Sequence, residues 1–201
     1  MSTDLITEIA NLYASCRTYS DRGVTSNMSA EALTKNADLT GTLIRFQTEF
    51  VREEKFNFEF IRLDSTEKLG ILHSRYQTLA RSAASESWHA ESLPAAIEKT
   101  LKTSKGATGM VPMLLMFELR KQILSPLFQR QYQEKRPVQF ANRHCRVLTS
   151  VSEEDSITLF IDAESNLIKV IEESYMTQNN TIRSHLHIYE EAKLASSASF
   201  S

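Results

Sequence analysis

Histidine and cysteine are the side chains best suited to metal binding or nucleophilic catalysis, and this chain has few of either. Its 201 residues contain five His and two Cys. His185 and His187 are two residues apart, so on a strand they share a face and could meet one metal ion. A zinc site needs further protein ligands, and no spacing in the sequence marks one. A half-exposed strand face is the simpler interpretation, and we predict no metal site.

Covalent catalysis has no clearer pattern. His144 precedes Cys145, and neighbouring residues on a strand point to opposite faces, so this pair does not form a nucleophilic dyad. Acidic pairs such as Glu53 and Glu54 lie where turns or solvated faces are expected, whereas catalytic acids need an environment that shifts their pKa. An enzyme would therefore have to combine distant residues, with these histidines as candidates: His89, His144, His185 and His187.

The segment TSKGATG, at residues 103–109, is similar to a phosphate-binding loop only superficially. A Walker loop ends in Gly-Lys-Ser/Thr, whose amides cradle phosphates and whose Lys reaches them. Here Lys105 precedes its glycine, so a turn between helices is the better interpretation. We predict a non-enzymatic protein that uses no cofactor.

Composition and the pattern of apolar residues argue against two further classes of protein, those that bind nucleic acid and those that span a membrane. The net charge is −2 and the pI is about 6.2, which gives no electrostatic footprint for nucleic acid. The most apolar run, residues 110–119, contains Glu118 and is too short to span a membrane. The first residues have no basic region followed by a continuous apolar stretch, so no signal peptide is predicted. The sequence is then that of a cytoplasmic protein, or of a trimmed mature form that is periplasmic or otherwise exported.

The two cysteines, Cys16 and Cys145, lie far apart and lack the spacing of metal ligands. One interpretation is a pair of buried free thiols. The other is a disulfide that ties the first segment to a late strand and indicates an oxidising compartment. Closing so long a loop would stabilise the fold by roughly 4–5 kcal/mol in the chain-entropy model.

The elements that must position these residues begin with an aromatic stretch, LIRFQTEFVREEKFNFEFIRL, at residues 43–63. Five of the ten Phe in the chain lie here and alternate with polar residues, which is the period of a strand with one apolar face. Glu53 and Glu54 interrupt the alternation and predict a hairpin turn. The result is an aromatic wall that faces a core, a ligand or a partner: Phe46, Phe50, Phe56, Phe58 and Phe60.

The remaining pattern predicts an α+β fold with a mostly antiparallel sheet, because the order is helix, strands, two helices, strands. The first helix covers residues 4–16, and two helices between residues 92 and 125 form an apolar insertion. We predict one domain over residues 1–192 and a loose tail over residues 193–201. Further strands are predicted over residues 17–25, 70–80, 85–91, 138–151 and 181–191. Residues 156–176 are predicted to form two strands joined by a turn at residues 162–166.

The apolar surface allows two interpretations that share most of their residues. In one, the Phe face and the methionine-rich second helix of the insertion form an ordinary filled core. In the other, they enclose a cavity for an acyl chain, since Met adapts to varied ligand shapes and such a pocket needs apolar walls. The helix contributes three of the six methionines: Met110, Met113 and Met116.

Two segments resemble the lipoprotein-carrier superfamily, whose members include the carrier LolA, the receptor LolB and the stress sensor RseB. They are TEFVREEKFNFEF, residues 48–60, and TLFIDAESNLIKVI, residues 158–171. An uncharacterised bacterial branch is the most similar. The resemblance implies an unclosed, curved antiparallel β-barrel with an N-terminal helix and a helical lid at about residues 92–125. It also implies non-enzymatic binding of lipids or lipoprotein acyl chains.

Carried to this chain, the resemblance implies that the Phe wall binds the ligand and that the insertion supplies the lid, through Leu101, Met113, Met116 and Phe117. It favours the disulfide, because members are usually exported. The resemblance does not decide which polar residue holds the lid in place, and the candidates are Arg45, Arg62 and Arg75. The alternative on the same fold is a protein-interaction or envelope-stress sensor module with a filled interior and a protein partner.

Overall fold

The computed structural model describes residues 2–31, 42–63, 68–75, 77–81, 87–101, 103–116, 127, 130–179 and 181–196. Three helices in these ranges are α1 (Ser2–Ser15), α2 (Leu93–Leu101) and α3 (Val111–Leu115), and a 3-10 turn covers Ala107–Gly109. No helix within these ranges has the length and apolar character to cross a membrane. The strands are β1 (Cys16–Ser26), β2 (Thr42–Val51), β3 (Lys55–Arg62), β4 (Lys68–Ser74), β5 (Thr78–Arg81), β6 (Ser87–His89), β7 (Gln133–Phe140), β8 (Arg143–Val151), β9 (Asp155–Asp162), β10 (Ile168–Met176), β11 (Ile182–Tyr189) and β12 (Lys193–Ser196).

The strands form one antiparallel sheet in the order β6-β5-β4-β3-β2-β1-β11-β10-β9-β8-β7. Among the described residues β6 and β7 do not pair with each other, so the sheet stays open. One edge of β1 pairs with β11 from Gly23 and with β12 up to Ser20, while the other edge pairs with β2. The prediction of an α+β fold with an N-terminal helix and an unclosed antiparallel barrel is confirmed.

The main core lies on the face of the sheet that carries the helices. Helix α1 places Leu5, Ile9 and Tyr13 at the spacing of one helical face, and all three are buried. The Tyr13 hydroxyl accepts a hydrogen bond from the Ile168 amide at 3.0 Å, which fixes α1 to β10. We call this the helix face, and the same core receives alternate residues of β2, β3, β4, β8, β9 and β10.

A second cluster lies on the opposite face, across β1 and β8–β11. It forms because β9 and β10 contain runs of consecutive buried residues, so both faces of these strands are covered. The connection that leaves β1 covers part of it, since Ala30 is buried and its amide donates to the Glu172 carboxylate at 3.1 Å. Its buried members are Val24, Ala30, Cys145, Val147, Phe160, Val170, Leu186 and Ile188.

The cysteine arrangement corrects one prediction. Cys16 and Cys145 are both free and fully buried. Cys16 packs in the main core at the start of β1, whereas Cys145 packs in the cluster on the opposite face, in β8. Strand β8 is separated from β1 by β11, β10 and β9, and a disulfide requires Cα atoms less than about 7 Å apart. The predicted disulfide is therefore wrong for this structure, and the interpretation as two buried thiols is correct.

Three segments also differ in their strand structure from the prediction made from the sequence. Residues 138–151 are part of a hairpin, not one strand, because Ala141 and Asn142 both have positive φ and make the tight turn between β7 and β8. Residues 70–80 belong to the hairpin β4–β5. Residues 193–196, predicted to lie in a loose tail, form β12 against β1.

Candidate functional site

The five phenylalanines of the aromatic wall share the helix face of β2 and β3. The β2–β3 register pairs Phe46 with Phe60 and Phe50 with Phe56, which confirms the hairpin, and Glu53 in its turn has positive φ. The rings of Phe46 and Phe58 stack at 5.9 Å between centroids, and Phe46 meets Tyr189 edge-on at 5.4 Å. All five side chains are buried, so most of the wall is packed core.

The helical insertion covers this wall at the predicted position. The structure describes residues 92–101 and 103–116 of the insertion. Ser92 caps α2 by accepting a hydrogen bond from the Ala95 amide at 3.3 Å. Leu101 and Met116 are half-buried, and only Met116 packs against the main core. The Met113 side chain and Phe117 lie outside the described residues. The lid residues buried in the core are Leu93, Ala96, Ile97, Ala107, Met110, Val111, Leu114 and Leu115.

A cavity of about 360 Å³ remains between the β2–β3 turn and the ends of α2 and α3. Its apolar walls bring together three of the predicted ligand residues with two leucines of the insertion: Phe50, Phe56, Met116, Leu93 and Leu115. Its polar rim carries three cations, Arg52, Lys55 and Arg75, together with Glu53 and Glu54. Phe58 and Leu101 do not line this cavity, and Phe46 and Phe60 border a different one.

Arg52 is the residue that fixes the insertion, and the sequence argument did not single it out. Its Nε donates to the Cys16 carbonyl at 2.7 Å, and its Nη2 lies 3.3 Å from the carbonyls of both Tyr13 and Leu115. The guanidinium also lies 5.3 Å from the ring centroid of Phe50. One side chain in the β2–β3 turn thus joins the end of α1, the start of β1 and the end of α3.

A buried carboxyl group lies on the helix face beside the wall. Asp21 is 3% exposed and accepts a hydrogen bond from the Tyr19 hydroxyl at 2.7 Å, and its cross-strand neighbour is Thr48. Burial raises the pKa of Asp21 to about 6, although contacts with Tyr19 and Thr48 act in the opposite direction. Neither the alternation nor the charge pattern predicted this site, because SDRG reads as a turn and the structure continues β1 through it.

The predicted histidine face exists, but His187 is fully buried and not half-exposed. His187 Nδ1 shares a hydrogen bond with Thr25 Oγ1 at 3.0 Å, and its Nε2 lies 3.4 Å from a Glu173 oxygen. These are the group types of a nucleophilic triad, yet Thr25 is 0% exposed, so no substrate reaches its oxygen. The contact instead supports the turn at Gly106, whose backbone lies directly on Glu173 and His187.

No metal centre forms around these residues. Within the described ranges, no three His, Cys, Asp or Glu side chains cluster closely enough to hold an ion. Burial lowers the pKa of both His73 and His185, which keeps their imidazoles neutral to lower pH. His73 is half-buried at the 360 Å³ cavity and shares a hydrogen bond with Thr78 Oγ1 at 2.8 Å.

A larger cavity, of about 610 Å³, lies on the opposite face of the sheet over β1–β4. Its walls mix polar side chains, such as Arg22, Arg45 and Gln47, with apolar ones that include Phe46 and Phe60 of the Phe wall. Gln47 donates to the Glu59 carboxylate at 2.7 Å, so part of this surface is a cross-strand polar network. The walls of the 360 Å³ helix-face cavity are more strongly apolar, which suits an acyl chain better.

Comparison with known proteins identifies structures and no close relatives. No family model and no curated protein matches the chain. A chain of the Pseudomonas aeruginosa MucA/MucB complex is 12% identical, with a TM-score of 0.49. That alignment covers 98% of this chain, and this chain spans 59% of the other.

Two further solved structures match over nearly the whole of both chains. An outer membrane lipoprotein-sorting protein domain from Vibrio parahaemolyticus is 9% identical, with a TM-score of 0.40, and 96% of this chain and 91% of that one are covered. A LolA superfamily protein from Nitrosomonas europaea is 8% identical, with a TM-score of 0.35 and coverages of 96% and 93%. One of these structures thus comes from the superfamily that the sequence motifs resemble.

Proposed function

We propose that the chain binds a hydrophobic ligand, such as a lipid or a lipoprotein acyl chain, between the Phe wall and the helical insertion. The observation that carries the proposal is the 360 Å³ cavity, which is lined by Phe50, Phe56 and Met116 and lies beside the end of α3. Ligand pockets commonly start at about 300 Å³ and have mainly apolar walls with a few polar groups. The proposed role is carriage or binding without a chemical step.

The ligand would enlarge this cavity by displacing α3. Helix α3 has only five residues, and the contact that ties it to the turn is one Arg52 hydrogen bond to Leu115. A hydrogen bond to a charged group contributes about 1.5–3 kcal/mol. Displacement would also expose Val111, Leu114 and Leu115, which are fully buried. The ligand must therefore bury a comparable apolar area in their place, at about 0.8 kcal/mol for each methylene.

An anionic headgroup would remain at the rim, where the cavity is lined by Arg52, Lys55 and Arg75. Arg75 is exposed and already donates from Nε to the Glu53 carbonyl at 2.7 Å, so its remaining donors face solvent or a ligand. Export to the periplasm is part of the same proposal and follows from the resemblance. Fractionation of cells that produce the full-length protein checks that location.

Displacement of a fluorescent fatty acid tests the binding site. Met116→Trp adds bulk to the cavity wall at a half-buried position, so we expect loss of probe binding with the fold retained. Val151→Trp is the matched control, because Val151 is 74% exposed and lies on the opposite face of β8. Equal binding by the two variants and the unmodified protein would contradict the proposed site.

The alternative is a protein-interaction module, and one observation favours it. Met176 and Ile182 form an exposed cross-strand pair at the ends of β10 and β11, 52% and 72% exposed. Exposed apolar groups of this kind mark interaction surfaces when they are contiguous. The module predicts no ligand uptake by the unmodified protein and loss of partner binding in Met176→Ser, whereas the carrier predicts uptake unchanged by that substitution.

A further inference from the structure

A separate cavity of about 320 Å³ lies where the β7–β8 turn meets β10 and the end of β11. Ala141 of that turn and Phe140 before it form one wall, and Ile188 and Tyr189 form another. The cavity lies at the cluster opposite the helices, to which Ile188 belongs, whereas Tyr189 also packs in the main core against Phe46. It shares no lining residue with the 360 Å³ cavity.

Lys169 makes this cavity suited to an anionic ligand, because the side chain lines it and has no hydrogen-bond or ion-pair partner among the described residues. The residue is 8% exposed and lies at a register shift of the β9–β10 pair, between Ile168 and Val170. Such bulges re-aim a side chain relative to a regular strand. Among the described residues, no oxygen lies within hydrogen-bond or ion-pair distance of its ammonium group.

The nearest buried acid does not fill that role. Asp162 Oδ2 is already bound by Arg143 Nη1 at 2.8 Å, and its Oδ1 accepts the Glu164 amide at 2.9 Å. Glu190 lines the cavity but is exposed. Burial and then the neighbouring Arg143 lower the pKa of Lys169, and the charge of Asp162 opposes this shift only in part.

From this geometry we infer that the cavity binds an amphiphilic anion, with its carboxylate or phosphate on Lys169 and Arg143 and its apolar part against Phe140 and Ile188. The Lys169 ammonium has no paired anion within the described residues, and an anion bound in the cavity would supply a charge-assisted hydrogen bond. The apolar walls favour an alkyl or aromatic body over a free inorganic ion. This site is additional to the proposed helix-face site and does not depend on it.

Calorimetric titration of the whole chain with octanoate, octyl phosphate, acetate and octyltrimethylammonium tests the inference. We expect at least one of the two octyl anions to bind, and acetate and the octyl cation to bind at least about tenfold more weakly, since a charge-assisted contact is worth about 1.5–3 kcal/mol. Binding of octanoate alone or of octyl phosphate alone identifies which headgroup is taken. No binding of either anion, or equal binding of acetate or the cation, overturns the inference.

Lys169→Met keeps the length of the side chain and removes the charge. We expect it to weaken binding of the octyl anion about tenfold or more and to raise the thermal midpoint of the free protein. The control Lys193→Met changes an exposed lysine of β12 and should leave both quantities unchanged. Met116→Trp blocks the proposed helix-face site, so titrations in that background should keep only the binding that depends on Lys169, which separates the two sites. An unaltered affinity in Lys169→Met overturns the inference.

Discussion

Arg52 Nη2 donates to the Leu115 carbonyl at 3.3 Å, which joins the β2–β3 turn to the end of α3. The same guanidinium binds the carbonyls of Cys16 and Tyr13, so α1, β1 and α3 share one donor group. Carbonyls at the end of a helix lack partners within the helix, and a guanidinium satisfies several of them at once. Arg52 thus adds a polar link to the apolar packing that holds the insertion over the Phe wall.

Arg52→Met should loosen α3 while leaving the sheet intact. We expect the free energy of unfolding to fall by about 2–4 kcal/mol, because three carbonyls lose a charged donor. Amide hydrogen exchange of residues 111–115 should accelerate more than that of β9 and β10. Arg17→Met is the control, since Arg17 is exposed and next to the same region. Unchanged exchange in the α3 amides would show that Arg52 does not hold this helix.

Asp21→Asn should change the pH dependence of stability. The pKa of Asp21 rises from 3.8 to about 6 on folding, so the folded state holds its proton more tightly than the unfolded state. As the pH rises from about 4 to about 6, the contribution of Asp21 to the free energy of unfolding therefore decreases. Above about pH 6 this contribution no longer changes. An uncharged Asn avoids that loss, which amounts to about 3 kcal/mol at pH 7.5.

Urea unfolding of the Asp21→Asn variant and the unmodified protein at pH 4 and pH 7.5 measures this effect. The two proteins should be closer in stability at pH 4 than at pH 7.5, where the variant should be the more stable. Glu49→Gln serves as the control, because Glu49 is exposed on the other face of β2 and surface ion pairs contribute about 0–1 kcal/mol. If Asp21→Asn were no more stable than the unmodified protein at pH 7.5, the ionised Asp21 carboxylate would have to be stabilised in the folded protein more strongly than its contacts with Tyr19 and Thr48 indicate.

Gly23→Ala should disrupt the junction of β1, β2 and β11. An added Cβ would lie 2.1 Å from the Ile188 carbonyl oxygen and 2.6 Å from Phe46 Cζ, so backbone and wall must both move. We expect a loss of at least about 2–3 kcal/mol in the free energy of unfolding. Gly106→Ala is the comparison, since its Cβ would lie 3.2 Å from the flexible end of Glu173 and at an ordinary contact distance of 3.5 Å from His187 Nε2.

The expected loss for Gly106→Ala is about 1–2 kcal/mol, which comes from its positive φ of 88° and not from a clash with backbone. Thermal or urea unfolding ranks the two variants. If Gly106→Ala were the more damaging, the close approach of β11 and Phe46 to Gly23 would be incorrect.

The thiols give a chemical test of the cysteine arrangement. Iodoacetamide without reductant should add two labels to the urea-unfolded protein, because Cys16 and Cys145 are free. The folded protein should react far more slowly, since both side chains are 0% exposed and burial raises the pKa of both thiols. Intact-mass spectrometry counts the labels. An unfolded, unreduced monomer that takes up no label would restore the disulfide.

The sequence predicts the hairpins well where side-chain alternation and turn chemistry agree. Phe50 pairs with Phe56 as the alternation requires, because Glu53 and Glu54 lie between two runs of constant parity. The β7–β8 turn was missed because Ala141 adopts positive φ, where glycine or asparagine is the usual signal.

Long-range polar contacts were the least predictable part of the site. Arg52 lies inside the motif that carries the superfamily resemblance, yet nothing local separates it from Arg45, Arg62 or Arg75. Its importance comes from the carbonyls that the fold brings to it. Asp21 was missed for a related reason, since a charged residue in a turn-like segment is expected at the surface.

Photo-crosslinking with a diazirine-bearing palmitate, followed by peptide mass spectrometry, tests the central claim most directly. The account predicts labels on peptides that contain Phe50, Phe56, Leu115 or Met116, with their loss in Met116→Trp and their retention in Val151→Trp. Labels confined to the peptides of Met176 and Ile182, or to those of Phe140 and Lys169, would contradict a ligand site between the Phe wall and the insertion. So would an absence of any label at saturating palmitate.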